Sequence, residues 1–298
     1  MLRMHTPYDG SSKLFTIGLK PLDLRDWIDV DDNLLAYLDE KDRLAVRVPH
    51  EIFGALPGSE DAQAEVLMLL ADHLPDRFPD IYMRLGAQID VVPAFRRARL
   101  DDPLTPPLLI ASSLVQEDLV VLQKRDDGWT VTAGALAFPS SWRLSDKLGR
   151  PMHDVHGPVP GFNAGTRNAA MIERMFDNLK PELPVMRWNW SLYGDADLHH
   201  PEPGNSGRRF GDGEVAEHVF LRLERQTLRR LPNSGAILFT IRIYIDALEA
   251  LESHSDGPVI ARALIAQIHE LTPEQAAYKG LTNDRDALVR RLEGLAAK

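Results

Sequence analysis

The 298-residue sequence contains no cysteine. That excludes disulfides, thiolate metal ligation, iron–sulfur clusters held by this chain and a cysteine nucleophile, so a bound metal must take nitrogen or oxygen donors. Long apolar runs are also missing. Nothing approaches the ~20 residues of a membrane span, and the opening MLRMHTPYDGSSKLF lacks both the apolar stretch of a signal peptide and the Arg-rich character of an organelle address. A cytoplasmic protein with no membrane partner is expected. No dense basic run offsets the formal charge of -10, from 34 Lys and Arg against 44 Asp and Glu, which disfavours nucleic acid as a partner. No Gly-x-Gly-x-x-Gly follows a strand, so a dinucleotide fingerprint is absent too. What is present, 44% hydrophobic and 26% charged residues, is the composition of a chain that folds. With no repeat, low-complexity tract or Gly/Ser linker, residues 1–298 are expected to form one domain.

Local patterns point to an α+β fold with an antiparallel sheet in the middle and helices at both ends. Residues 14–56 mix short apolar runs with turn signals and suit an irregular segment with two short strands. A helix follows. Ser59 can cap it, Glu60 and Asp61 complement its dipole, Val66, Leu69, Leu70 and Leu74 form a stripe, and Pro75 is expected to stop it. Residues 108–138 read as a hairpin broken at Asp126-Asp127-Gly128, and 217–228 with 235–245 as a second antiparallel pair. Residues 166–179 are helical, with Met171, Ile172, Met175, Phe176 and Leu179 on one face. Residues 246–298 form a helical extension in which Thr272-Pro273-Glu274-Gln275 carries a capping box.

Without cysteine, the histidines are the first candidates for chemistry. His5 in a floppy start, His50, His73 and His269 near turns or helix ends, and His254 in a loop suit solvated or dipole-paired roles. The adjacent His199 and His200 have no ligand spacing. His153 and His156 differ, because they lie in a stretch stiffened by Pro158 and Pro160 that leaves little room for helix or ladder. Such a histidine is either held for a purpose or bonds a backbone carbonyl and packs. On the strand 220–228, alternation sets Leu221, Leu223 and Arg225 on one face against Arg222, Glu224 and Gln226 on the other. Arg225 therefore points where the leucines point, which suits a buried functional cation or a structural ion pair. The next strand alternates in the same way, with Phe239, Ile241 and Ile243 opposite Arg242.

Seven motifs occur in order: Gln116-Glu117-Asp118-Leu119, Pro139-Ser140-Ser141-Trp142, Lys147-Leu148-Gly149, Val155-His156-Gly157-Pro158-Val159-Pro160, Arg187-Trp188-Asn189-Trp190, Glu224-Arg225-Gln226-Thr227-Leu228 with Arg230-Leu231-Pro232, and Phe239-Thr240-Ile241-Arg242-Ile243-Tyr244. As an ordered set, running from about Ile17 to Tyr244, they resemble the haem-dependent oxidative N-demethylase alpha-subunit family.

The resemblance implies a PAS-like antiparallel sheet over a family core of 14–245, with 246–298 as the extension. It implies a haem b monooxygenase subunit that demethylates a small secondary amine such as dimethylamine with O2. Electrons would come from separate flavin and iron–sulfur reductase proteins, a division of labour that suits a Cys-free chain. On this reading His156 is the axial ligand and metal-binding residue, with His153 as the alternative. Arg225 is expected on the distal side as a donor to bound dioxygen. Glu224, Glu117 and Trp190 are candidates to receive the amine cation. Two other readings stay open: a haem-binding PAS-like gas or redox sensor, and a haem-free structural relative.

Overall fold

Strand alternation governs the architecture, because separate cores form on the two faces of one sheet. The computed structural model describes residues 5–10, 14–202 and 209–298. Part of the opening stretch read above therefore lies outside the described residues. In chain order, the first part contributes β1 (Lys20–Pro21), α1 (Leu34–Arg47), α2 (Pro49–Ile52), β2 (Phe53–Ala55) and α3 (Glu60–Arg77). A small sheet of β3 (Tyr82–Leu85), β4 (Gln88–Val91) and β5 (Arg96–Arg99) follows, then α4 (Pro107–Ser112). The hairpin β6 (Asp118–Arg125) and β7 (Gly128–Ala135) leads into a crossover with α5 (Leu144–Lys147), α6 (Met152–Val155) and α7 (Arg167–Asn178). Strands β8 (Val185–Tyr193), β9 (Phe220–Arg230) and β10 (Ile237–Ala247) precede α8 (Gly257–Glu270), α9 (Pro273–Tyr278) and α10 (Arg285–Ala296).

The large sheet has seven strands in the order β1-β8-β9-β10-β6-β7-β2, every pair antiparallel. The fold is α+β, as the sequence pattern predicts. Directly opposed residues on neighbouring strands share a face, so the register Trp190↔Leu223 and Asn189↔Glu224 sorts the whole sheet. On one face, Leu119, Val121 and Leu238 pack with Val66 and Leu70 of α3, while Trp190, Leu221 and Leu223 pack with Leu264, Ile268 and Leu292 of the C-terminal helices. On the other, Val120, Leu122, Ile237, Ile241 and Ile243 pack with Phe162, Ile172 and Phe176 of the crossover. Gly134 lets α5 lie close to β7, since a Cβ there would stand 2.5 Å from Leu144 Cδ1.

Two side chains bind the loops to the sheet. Asp118, fully buried, accepts the amides of Ala137 and Phe138 at 2.7 and 2.8 Å. Buried Arg222 donates to the carbonyls of Phe138, Pro139, Asp197 and Leu198 at 2.9–3.2 Å and to Ser140 Oγ at 2.8 Å.

Several local expectations need correction. The stretch 14–56 holds its two short strands, β1 and β2, but also the fourteen-residue helix α1. Its stripe of Leu34, Tyr37, Leu38, Lys41 and Leu44 is interrupted by a lysine, which is buried because its ammonium donates to the carbonyls of Ser112, Val115 and Glu117. Pro75 lies inside α3 rather than ending it. It removes one ladder donor only, and the helix closes two residues later. Residues 108–112, expected within the hairpin, form α4, and the hairpin itself is confined to β6 and β7; the small sheet 82–99 has no counterpart in the sequence pattern.

His73, expected as a solvated histidine at a helix end, is instead packed against Trp27 and Phe78 at ring distances of 5.4 and 6.4 Å. Burial, aided by the Arg229 and Arg77 charges, lowers its pKa to about 4. The unfolded chain, with histidine near ~6.5, then binds the extra proton between these values. The contribution of His73 to stability is therefore complete above about pH 6.5 and is lost as pH falls toward about 4. In urea titrations, the midpoint is expected to drop more between pH 7 and pH 5 for wild type than for His73→Phe. Equal drops would contradict this assignment.

Candidate functional site

The crossover between β7 and β8 is held in shape by local chemistry. Pro151 precedes the single turn of α6, where its missing amide costs nothing, and Thr166 Oγ1 caps α7 by accepting the Ala169 amide at 3.2 Å. His153 thus sits within a helical turn that the proline-rich pattern had seemed to exclude, and His156 is its C-cap. Between the two helices the chain turns on Val159 N–H to His156 C=O at 2.8 Å and Phe162 N–H to Val159 C=O at 3.0 Å, with Gly161 and Gly165 at positive φ.

His156 lines a closed cleft with His153, Met152, Phe162, Ile172 and Glu173 that leaves no room for a water molecule. Its ring lies 6.2 Å from that of Phe162. Burial first, then the neighbouring Arg187 and Lys147 charges, push its pKa down to about 4, so at neutral pH the imidazole is uncharged and keeps a free lone pair. His153 is more open, with 38% of its side chain exposed, and lies 3.6 Å from the Asp154 carboxylate. Among the described residues no three His, Asp or Glu side chains converge as a metal-ligand cluster.

The sheet face under the crossover becomes polar toward β8 and β9. Arg187 is opposite Gln226, and Asn189 opposite Glu224. Gln226 donates its amide to Glu224 Oε2 at 2.5 Å. Lys279, just past α9, reaches in and donates to Asn189 Oδ1, Trp190 C=O and Ser191 Oγ at 3.1, 2.7 and 3.2 Å. Its burial lowers its pKa to about 8, a fall that Glu224 opposes and Arg187 reinforces. Arg187 itself is largely buried, its Nε has no hydrogen-bond partner, and burial holds its pKa below the usual guanidinium value.

The other sequence candidates lie elsewhere. Arg225 shares a face with Leu221 and Leu223, as alternation requires, but that face packs on the N-terminal segment and the C-terminal helices. There Arg225 donates to the Trp27 carbonyl at 3.1 Å and to the Asp26 carbonyl. Glu117 is beside it, fully buried, with Oε1 accepting the Asp29 amide at 2.9 Å. Burial raises the Glu117 pKa, with the Arg242 and Arg225 charges opposing. Trp190 is on the same side, its ring 6.2 Å from Tyr8. The structure thus brings Glu224 and His156 to one face and leaves Arg225, Glu117 and Trp190 on the other. Arg225 keeps the strand parity with Leu221 and Leu223 that alternation predicts, and the crossover covers the face opposite those leucines.

His5, expected to be loose, stacks 4.8 Å from both Trp188 and Tyr244. His199 Nδ1 is 2.8 Å from the Ala137 carbonyl and His200 packs 4.4 Å from the Tyr193 ring, so this pair has structural roles. Arg187 and Lys279 were missed as site residues. Arg187 had a signal, an arginine in a strand otherwise rich in tryptophan; Lys279, at a helix end, had none.

Residues 18–289 match the family described as haem-dependent oxidative N-demethylase, alpha subunit-like. The chain belongs to that family. The match begins two residues before β1 and continues past Tyr244 through α8 and α9 into α10, so it takes in the crossover, the polar face and Lys279. Membership in the haem-dependent oxidative N-demethylase alpha-subunit-like family makes this a haem-dependent oxidoreductase with other subunits implied. Among the described residues no helix is long and apolar enough to cross a membrane.

Proposed function

We propose that this chain is the haem b-bearing catalytic subunit of an oxidative N-demethylase acting on a small secondary amine such as dimethylamine, with O2 as oxidant and electrons from a separate flavin and iron–sulfur reductase. The observation that carries the reading is a half-buried, uncharged imidazole on a crossover facing the same sheet face as Glu224. The donor set fits haem: with no cysteine, His156 offers the neutral nitrogen that an axial bond needs, and Phe162, Ile172 and the isoleucines of β10 offer an apolar wall. The strand order β7-β6-β10-β9-β8, with the helices placed between β7 and β8, supports the PAS-like reading of the core.

When bound, haem supplies the activation of dioxygen that oxidises an N-methyl carbon, releasing formaldehyde and the demethylated amine. The protein's own contribution is positional. Glu224 presents a carboxylate on the inner face, held by Gln226, where a secondary ammonium can be received and its proton taken up. Arg225 fastens the Asp26–Trp27 segment to the reverse side. The space beside His156 has no room even for a water molecule, far below the ~300 Å³ of the smallest ligand pockets, so haem uptake requires the packing around His156 to open.

Reconstitution tests the reading. The purified chain is expected to take up one equivalent of haemin with a histidine-ligated Soret band, NADPH alone is expected to leave it ferric, and a ferredoxin-type donor with O2 and dimethylamine should yield formaldehyde. Failure to take up haemin would overturn the proposal, and direct reduction by NADPH would remove the need for a reductase.

A further inference from the structure

We infer that Arg187 is the built partner of a carboxylate on the group that His156 ligates, that is, of a porphyrin propionate. This rests on the haem reading above. Four arginines among the described residues have a buried Nε without a hydrogen-bond partner: Arg187, Arg229, Arg242 and Arg291. Three of them are compensated in other ways. Arg242 pairs with Asp31 at 2.8 Å, Arg291 with Glu249 at 2.7 Å, and Arg229 stacks over the Trp27 ring at 4.3 Å. Arg187 has no such ion pair or ring among the described residues, although it is largely withdrawn from water. A guanidinium in that state is disfavoured unless an anion completes it.

The surrounding charges point the same way. The charged neighbours that depress His156 are both cations, Arg187 and Lys147. Lys147 is already engaged, donating to the Val155 carbonyl at 2.8 Å. Across the sheet face, Lys279 adds a further buried cation, while Glu224, the carboxylate within electrostatic reach of both Arg187 and Lys279, accepts from Gln226. Of the groups closest to His156 and Arg187, the cations Arg187, Lys147 and Lys279 outnumber the carboxylates Glu224 and Glu173. A ligand that brings carboxylates balances the excess, and a planar guanidinium fork matches a carboxylate in two parallel bonds.

Position adds a third argument. Arg187 also lines a second cavity, of about 250 Å³ and open to solvent, together with Asp9, Lys20, Met186 and Trp188. Arg187 thus acts electrostatically on His156 and also borders a solvent-open cavity, a position that suits the charged edge of an otherwise apolar macrocycle.

The test uses two probes, haemin and haemin dimethyl ester, titrated into the apoprotein by Soret absorbance. Wild type is expected to prefer haemin over the ester by about 10–100-fold, the range of a charge-assisted bond. Arg187→Met should weaken haemin by that factor and leave the ester unchanged, Arg187→Lys should recover part of the preference, and Lys147→Met should keep it. Because the lone buried charge is gone, Arg187→Met apoprotein should also unfold at a urea concentration equal to or above that of wild type. Equal wild-type affinity for the two probes, or a preference that survives Arg187→Met, would overturn this inference while leaving the haem reading intact. Absence of binding by either probe would instead remove the haem reading and this inference with it.

Discussion

Replacing His156 with alanine is expected to abolish stoichiometric haem uptake in a chain that still folds. The ring is the C-cap side chain of a one-turn helix, and the hydrogen bonds that shape the turn are made by its backbone, N–H to Met152 C=O at 3.0 Å and C=O from Val159 N–H. Those survive truncation. The lost ring contacts with Phe162 and Ile172 should cost no more than about 1–2 kcal/mol, within the usual range for a partly buried residue. The axial bond has no substitute close by, since the single neighbouring imidazole, His153, is half-exposed beside Asp154. Circular dichroism and urea unfolding near wild type, together with loss of the Soret band, is the expected pattern, and added imidazole should partly restore the band. A normal histidine-ligated spectrum in the variant would sink the assignment, and His153→Ala would be the next measurement.

Arg222→Met is expected to be the most destabilising single change in the sheet. The guanidinium satisfies four backbone carbonyls and one hydroxyl in a fully buried position, and methionine leaves the Phe138, Asp197 and Leu198 carbonyls and the Ser140 hydroxyl without a donor, while the Pro139 carbonyl keeps the His200 amide at 3.3 Å. Each stranded acceptor costs about 1–3 kcal/mol before relaxation, so a net loss of about 3–5 kcal/mol follows. The carbonyls belong to the start of the crossover, at Phe138 and Pro139, and to the 197–198 loop, so both should loosen together. Urea denaturation gives the size of the effect, and hydrogen exchange over 138–142 gives its place. A midpoint within error of wild type would show that these carbonyls find other donors.

What the sequence reveals about this fold is what short-range chemistry decides. The Asp126-Asp127-Gly128 turn, the β9–β10 pair and the Thr272 capping box are local events, and each appears as the pattern predicts. Alternation along β9 was equally readable, including the placement of Arg225 with Leu221 and Leu223. Which face the crossover would cover was not. That depends on β6 pairing with β10, a contact between residues far apart in the chain, and no periodicity within either strand encodes it. The same distance hides Arg222: on a strand it reads as a solvent-facing partner of Glu224, and only the arrival of the 138–140 and 197–198 carbonyls makes it a core residue. Helix α1 was concealed differently, by a lysine in its apolar stripe whose four acceptors come from α4 and the chain beyond it.

The pairing of β6 with β10 also has a consequence for how the chain is made. Val120 must wait for Phe239, and Leu122 for Ile237. At ~5–20 residues per second, ribosomal synthesis leaves that edge of β6 unpaired for on the order of ten seconds. During this interval the β6–β7 hairpin has emerged with Val120 and Leu122 facing one way and Leu119 and Val121 the other, and neither core can close, because both contain β10 side chains. An apolar strand edge open on a nascent chain is a template for wrong pairing. A chaperone that shelters the first half of this protein until β10 leaves the ribosome therefore bears directly on how much of it reaches the folded state.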